Sequence, residues 1–340
     1  MKVCIIGGVA GGATAAARLR RLDEKAQIIV FERGDYISFA NCGLPYHISG
    51  RIKERSSLLL QTPERLWTNF RIEVRVRNEV LAIDPQGKLL RVRNLTAGDE
   101  YTESYDYLVL SPGAYPLIPP IEGSGAAMFM SLYDLPGMDA MIARINDQRV
   151  QEAVVIGGGF IGVEIAENLV ARGIKTHLVE MLDQIMTPFD PEMAGIIQAR
   201  LASGGVDLHL SDGVKRIVGD AGGRVVLASG AELPAGLVVS AVGVRPETTL
   251  AREAGLKIGA TGGIAVDTGM RTSDPSIFAV GDAVETTHLV GGMQVLVPLA
   301  GPANKQARIA ADNICGLDSR YPGSLGTAIV KVFDLQAGVT

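Results

Sequence analysis

Two stretches of this chain repeat one pattern: a short apolar strand, a glycine-rich turn, a helix, a second strand, and an acid at its end. The first passes through Gly7-Gly8-Val9-Ala10-Gly11-Gly12 to Glu32, the second through Gly157-Gly158-Gly159-Phe160-Ile161-Gly162 to Glu180. A parallel strand buried on both faces reads as a continuous apolar run, as Val3-Cys4-Ile5-Ile6 does. The spacing predicts strand 2–6, helix 11–22 and strand 27–31 in the first copy, and strand 153–156, helix 161–171 and strand 176–179 in the second. Glycines let the backbone approach a pyrophosphate, and the helix N-terminus offers free N–H groups. The acid about 20 residues further on accepts from a ribose hydroxyl pair. One glycine loop is a weak signal. The whole pattern occurring twice points to an α/β fold with two Rossmann-like dinucleotide-binding domains, and to electrons passing between two bound nucleotides.

Residues 107–110 form a strand running into Ser111-Pro112-Gly113, and residues 237–242 one running into Gly243-Val244-Arg245-Pro246. These crossings frame the second unit as an insertion. The expected organisation is a discontinuous domain of residues 1–115 and 246–322, with a domain of residues 116–245 inserted in it. The alternating stretches 72–76 and 89–92 are expected as antiparallel strands. Residues 327–335 read as one strand with no partner, so residues 323–340 are expected to begin a truncated C-terminal domain.

Apolar residues at 47% and charged residues at 20% are the balance of an ordinary globular enzyme rather than a disordered or membrane chain. A net charge of -5 gives no reason to expect nucleic acid or an acidic membrane surface. No apolar run approaches the ~20 residues a membrane-spanning helix needs, and glycines interrupt the signal-like start. The three cysteines include no close pair, which favours a reducing, cytoplasmic setting.

Cys42 lies in Ser38-Phe39-Ala40-Asn41-Cys42-Gly43-Leu44-Pro45, a loop with a small residue next to the thiol. Sulfur–sulfur bonds are cleaved by an attacking thiolate. A dithiol enzyme would need a second cysteine a few residues away, and the sequence has none, so the resolving sulfur must belong to a substrate or a bound thiol. Cys4 in a core strand and Cys315 in a helix read as packing residues. Glu180 is followed by Met181-Leu182, with no arginine to meet a 2′-phosphate, which favours NADH while leaving NADPH possible. His177, His209 and His288 show no ligand spacing, and His47 reads as structural. Arg18, Arg20 and Arg21 read either as a solvated helix face or as an anion site.

The chain resembles the FAD-dependent pyridine nucleotide–disulfide oxidoreductases, most closely the single-cysteine branch of coenzyme A-disulfide reductases and NADH-dependent persulfide reductases. The resemblance covers essentially the whole chain. It is carried by residues 7–12 with Arg18 and Arg20-Arg21-Leu22-Asp23, and by residues 38–46, 157–164, 243–247, 272–283 and 298–305. Residues 38–46 are the branch-specific element. The resemblance implies an FAD site at Gly7, Val9, Ala10, Gly11, Glu32, Arg33, Val80, Ser111, Gly113, Asp282, Pro298, Leu299 and Ala300. It implies a nicotinamide dinucleotide site at Gly157, Gly159, Phe160, Ile161, Glu164, Glu180 and Gly243, and Cys42 as the redox-active thiol. Thr14, Arg18, Arg21, Ser38 and Asn41 match coenzyme A contacts, with Asn304 and Lys305 as weaker candidates. Related peroxidases and oxidases carry a histidine where this chain has Ala10, which cannot transfer protons. The expected activity is NAD(P)H-dependent reduction of coenzyme A disulfide or persulfides. The alternatives are an NADH oxidase, or a flavin electron carrier with a regulatory thiol. A third, dimer-forming domain follows in this family, so a homodimer is expected of the full-length protein.

Overall fold

The computed structural model describes residues 1–219 and 222–340, and contacts divide them into two compact units. The first comprises Met1–Phe39, Leu59–Tyr115 and Arg245–Gly326. Its five-stranded sheet runs in the order Ile277–Ala279, Tyr107–Leu110, Lys2–Ile6, Gln27–Glu32, Glu73–Val76. Helix Ala10–Leu22 buries Gly11, Gly12, Ala15, Ala16 and Leu19. These small residues let it pack closely on helix Ala300–Ile314, which contributes Ala303, Ala307, Ala310 and Ala311. Leu19 and Phe278 anchor this core at 0% and 1% exposure, and Leu19→Ala would cost about 2–5 kcal/mol there. A three-stranded antiparallel sheet of Asn78–Asp84, Leu89–Asn94 and Glu100–Ser104 supplies Val80, Leu90 and Val92 to a second core cluster, with Cys4 and Phe31.

The expectation for residues 89–92 therefore holds, and that for residues 72–76 needs correcting. Strand Glu73–Val76 pairs with residues 29–32 in parallel. Helix Pro63–Phe70, capped by the Thr62 side chain and carrying proline at its start, forms a crossover that returns the chain in the same direction. Arg71, at φ 50, turns the chain out of that helix into the strand.

The second unit comprises Ala40–Leu58, Pro116–Val244 and Thr327–Thr340. Its parallel sheet runs Val206–His209, Lys175–Val179, Glu152–Ile156, Leu237–Ser240, Phe129–Ser131. The three-stranded sheet Val214–Val218, Gly223–Leu227, Glu232–Ala235 contributes Ile217, Val225 and Leu233 to one core cluster with Val154, Val179 and Val238. Residues 40–58, expected above with the first domain, group with this unit. Their short helix Leu44–Ile48 packs against helices Leu135–Asp147 and Phe160–Ala171.

The single strand expected over residues 327–335 is a hairpin, with Ala328–Val332 antiparallel to Leu335–Val339. Phe333 turns the chain at φ 56. Its ring occupies the space beside Gly204, where an added Cβ would lie 2.1 Å from the ring. The Arg200 guanidinium sits 4.6 Å from that ring's centroid and bonds Asp334. A packing contact makes this turn, and no Gly or Pro advertises it in the sequence. Among the described residues, no helix is long and apolar enough to cross a membrane.

Candidate active site

The first glycine loop is closed by backbone chemistry. Gly7 has φ +93, and a Cβ there would fall 2.0 Å from the Ser111 carbonyl oxygen, so only glycine fits. A Cβ at Gly11 would lie 2.4 Å from Ser111 Oγ. Glu32 accepts from the Gly8 N–H at 2.9 Å and the Gly34 N–H at 2.8 Å, so both carboxylate oxygens are fixed. Gly7, Glu32, Arg33 and Val80 come together on one cavity of about 340 Å³. That cavity is also lined by Asn78, Glu79, Glu247 and Thr249, which the sequence reading missed. Glu247 closes the carrying stretch 243–247, and that proximity was the available signal.

Asp282 sits in the turn Gly281–Ala283, whose first N–H donates to the buried Gln306 Oε1 at 2.8 Å. Burial pushes its carboxyl from 3.8 up to about 6. Gly113 has φ +73 and its carbonyl accepts from the Glu247 N–H. Val9 and Ala10 are half-buried where helix Ala10–Leu22 begins. Leu299 precedes helix Ala300–Ile314, flanked by exposed Pro298 and Ala300.

The second loop repeats the plan. Gly157 has φ +103, with a Cβ position 2.6 Å from the Ala241 carbonyl oxygen. Glu180 accepts from the Gly158 N–H at 2.8 Å and the Leu182 N–H at 3.0 Å. Gly159 is exposed, and a Cβ there would meet nothing within 4 Å. Phe160 begins the helix and stands 6.4 Å from Phe189, ring centre to ring centre, while Ile161 is exposed. Gly243 has φ +114 and its carbonyl accepts from the Leu117 N–H.

Cys42 lies in a single helical turn, Asn41–Gly43, that runs directly into helix Leu44–Ile48. Gly43 is required there, because a Cβ would lie 2.5 Å from Leu58. Cys42 is exposed as a residue, yet the protein packed around its sulfur pushes the thiol up, and the Glu164 carboxylate pushes it further. The Tyr46 hydroxyl donates to Glu164 Oε1 at 3.4 Å. Burial, reinforced by Glu167, raises the Glu164 carboxyl, while the Tyr46 bond holds it down. Sequence reasoning missed Tyr46, whose signal was its place four residues after the thiol. His47 contacts the Ile52 carbonyl at 2.7 Å through Nδ1.

Among the expected substrate residues, Thr14 donates to Asn304 Oδ1 at 2.8 Å, and Arg18 bonds Asp312 at 2.7 Å. Arg21 and Lys305 are exposed. Arg20 instead donates to the carbonyls of Asp23, Glu24, Ala26, Phe70 and Arg71, so it clamps the chain rather than serving an anion. Ser38, at φ 44, donates its N–H to the Gly8 carbonyl. Asn41 is exposed in the second unit. Cys4 is buried against the Ser104 carbonyl, its thiol pushed up to about 12 by burial, which makes it inert. His177 and His209 meet at 3.2 Å across neighbouring strands, a pairing invisible without the register.

The family model described as pyridine nucleotide-disulphide oxidoreductase matches residues 1–307, and the chain belongs to that family. It is 37% identical, over 99% of its length and 75% of the relative's, to the NAD(P)H sulfur oxidoreductase (CoA-dependent) of Pyrococcus abyssi. Its fold matches the reduced Bacillus anthracis CoADR-RHD with a TM-score of 0.97 at 47% identity. It matches a NAD-dependent persulfide reductase from A. fulgidus at 0.96 and 40%. The match covers 99% of this chain in both cases, and the chain spans 61% and 63% of those two solved chains. FAD and a nicotinamide dinucleotide are the family's cofactors. Both loops fit such groups, since each opens on a glycine whose backbone leaves no room for a side chain and holds a carboxylate with both oxygens oriented.

Proposed function

We propose that this chain is the two-nucleotide portion of an NAD(P)H oxidoreductase that reduces coenzyme A disulfide, or coenzyme A and other small persulfides and polysulfides, through Cys42. The observation that carries this reading is Cys42 itself. It is an exposed thiol at a helix entrance, four residues before the Tyr46 that bonds Glu164, while Cys4 is buried and inert. The names of the relatives support the substrate class. Gly7, Glu32, Val80 and Asp282 would hold FAD, and Gly157, Glu180 and Gly243 the dinucleotide. When bound, FAD supplies two-electron transfer from the nicotinamide to sulfur.

The chain's own part is the sulfur chemistry. The Cys42 thiolate attacks one sulfur of the substrate, forming a mixed disulfide and expelling the other sulfur as a thiolate. Two electrons then return Cys42 to its thiolate and release the second thiol. Thr14, Arg18 and Asn304 would meet the coenzyme, with Arg18 drawn from Asp312 to a phosphate. The reading includes a reducing, cytoplasmic setting and a homodimeric full-length protein, tested by localisation and by sedimentation.

Cys42→Ser should retain bound flavin and lose NADH-dependent reduction of coenzyme A disulfide and persulfide. NADH consumption with oxygen as sole acceptor, followed in parallel, separates an oxidase. Sulfur reduction at the parental rate in Cys42→Ser refutes the assignment.

A further inference from the structure

We propose that Glu167 is a positioning residue for the sulfur chemistry. Its buried carboxylate, holding Arg51, fixes the Cys42-bearing segment on the helix that opens at the second glycine loop. This rests on Cys42 being the working thiol, and it gives Glu167 a part that neither glycine loop supplies.

Residues 40–58 are first knitted to themselves. The Ala40 N–H donates to the Leu58 carbonyl, and the Gly43 N–H to the Ala40 carbonyl, both at 2.9 Å. The Ile52 N–H donates to the Tyr46 carbonyl at 3.0 Å, and the Ile52 carbonyl meets His47 Nδ1 at 2.7 Å. Leu44 and Ile48 are buried, and a Cβ on Gly43 would lie 3.3 Å from Ile52. A displacement of Arg51 is therefore carried through Ile52, Tyr46 and His47 to the turn that holds Cys42.

Side-chain bonds then tie the segment to two helices. On helix Phe160–Ala171, Glu164 accepts from Tyr46 at 3.4 Å and Glu167 accepts from Arg51 at 2.6 Å. The Arg51 guanidinium also lies 5.9 Å from the Tyr46 ring centroid. Just past that helix, Arg172 donates to the Ile48 carbonyl at 2.6 Å and to Asn146 Oδ1 at 2.7 Å. Arg55 grips Asp139 of helix Leu135–Asp147 at 2.7 Å. Of the three carboxylates in these ties, Glu167 alone is fully buried.

Stability does not account for that carboxylate. A helix position with no exposure is ordinarily apolar, and burying a carboxylate there costs free energy that one arginine only partly offsets. Glu167 Oε2 has no hydrogen-bond partner among the described residues. An apolar side chain would fill the same space without fixing where the facing segment sits along the helix. The Arg51 bond to one oxygen admits a single register. The helix begins at Phe160, directly after Gly159, and Glu167 lies seven residues along it. One rigid element therefore carries the dinucleotide loop at its start and the thiol segment on its side. Cys42 must present its sulfur to a substrate's sulfur–sulfur bond, and a misplacement of about 1 Å can slow a reaction on the order of a hundredfold.

The test compares two electron acceptors in the holoenzyme. Arg51→Met combined with Glu167→Met removes both charges together, so neither is left buried and unpaired. NADH-driven reduction of ferricyanide needs the flavin and not the thiol, and it should stay at the parental rate. The kcat for coenzyme A disulfide should fall on the order of ten- to a hundredfold. Hydrogen exchange at residues 44–52 should quicken, with helix Ala10–Leu22 unchanged. Arg51→Lys, which keeps a cation facing Glu167, should keep most of the sulfur turnover. Glu167→Gln, of nearly the same shape, should show a smaller loss in the same direction. Sulfur turnover at the parental rate in the double variant overturns the proposal, as it does in Glu167→Gln should the double variant lose its flavin. Unchanged exchange at residues 44–52 overturns it too, and so does an equal loss with both acceptors, which would mark a general structural role. Cys42→Ser is assayed beside these. If it still reduces sulfur substrates, the functional reading fails; if it is inactive while the double variant is not, only the role of Glu167 falls.

Discussion

At residues 7–12 and 157–162 the chain builds the same turn twice, down to individual bonds. Gly7 and Gly157 both donate to a carbonyl near the end of the neighbouring strand, Phe31 and Val179. Gly8 and Gly158 both donate to an acid, Glu32 and Glu180, at 2.9 and 2.8 Å. Gly12 and Gly162 both press on the first glycine, where a Cβ would come within 1.8 and 1.9 Å of its carbonyl oxygen. The differences are confined to three positions: Val9 against Gly159, Ala10 against Phe160, and Gly11 against Ile161. Positions that close the turn are identical, while positions that would meet a nucleotide have diverged, as expected if the two loops take different ligands.

The harshest test is to damage one scaffold at a time. Alanine at Gly7 or Gly157 forces a side chain into positive φ and against a carbonyl oxygen. Each should cost its unit about 3 kcal/mol or more. Gly7→Ala should lower the melting temperature and empty the flavin from the purified protein. Gly157→Ala should lower the melting temperature, keep the flavin absorbance and lose NADH binding. Equal loss of flavin in both variants would mean that the loops do not serve separate sites.

Next in size is Asp282, for which the second loop's hydrogen-bonded acid, Glu180, is the contrast. Its folded value of about 6 lies above the ordinary 3.8, so folding favours the protonated carboxyl. That stability is fully present below about pH 4 and is lost as pH rises through about 6, a difference on the order of 1–3 kcal/mol. The flavin-free protein should therefore unfold in less urea at pH 7.5 than at pH 5, with acid denaturation of other groups setting in below that. Asp282→Asn should flatten the slope across this window. An unchanged slope would place Asp282 outside the desolvated site.

Glu180→Gln has a smaller expected effect. An amide presents one acceptor where the carboxylate presents two, so the Gly158 or Leu182 N–H loses its partner, at about 1–2 kcal/mol. NADH affinity should fall roughly tenfold, and the preference for NADH over NADPH should narrow because the charge opposing a 2′-phosphate has gone. Glu32→Gln should leave that ratio alone. A ratio that moves equally in both variants would erase the distinction between the loops.

How much of this was legible beforehand followed from whether the determinant was local. Both strand–glycine–helix units could be read because continuous apolar runs and positive-φ glycines leave marks within a few residues. The parallel pairing of Glu73–Val76 could not, because alternation is the same for either direction and the crossover helix decided it. The Phe333 turn depends on Gly204, 129 positions away, and the grouping of residues 40–58 depends on which helices they pack against. At the thiol, Cys42 was visible as a residue. That Tyr46, four residues on, bonds Glu164 emerged only through a helix-to-helix contact spanning 118 residues.

Gly159 gives the finest cut through the comparison. Its backbone torsions, φ -77 and ψ -176, suit any residue, and nothing lies within 4 Å of where a Cβ would stand. Its own fold therefore does not require glycine there, and the first loop carries a full valine at the equivalent position. Gly159→Ala should leave the melting point unchanged or raise stability by about 0.4–1 kcal/mol, since the unfolded chain loses freedom. If the empty space exists for a nucleotide's phosphates, NADH binding should still weaken, and Gly159→Val should weaken it more, with flavin content untouched. Titrating NADH against both folded variants separates the cases. Unaltered affinity in Gly159→Val would show that the gap serves no ligand, and that the two loops differ there by drift alone.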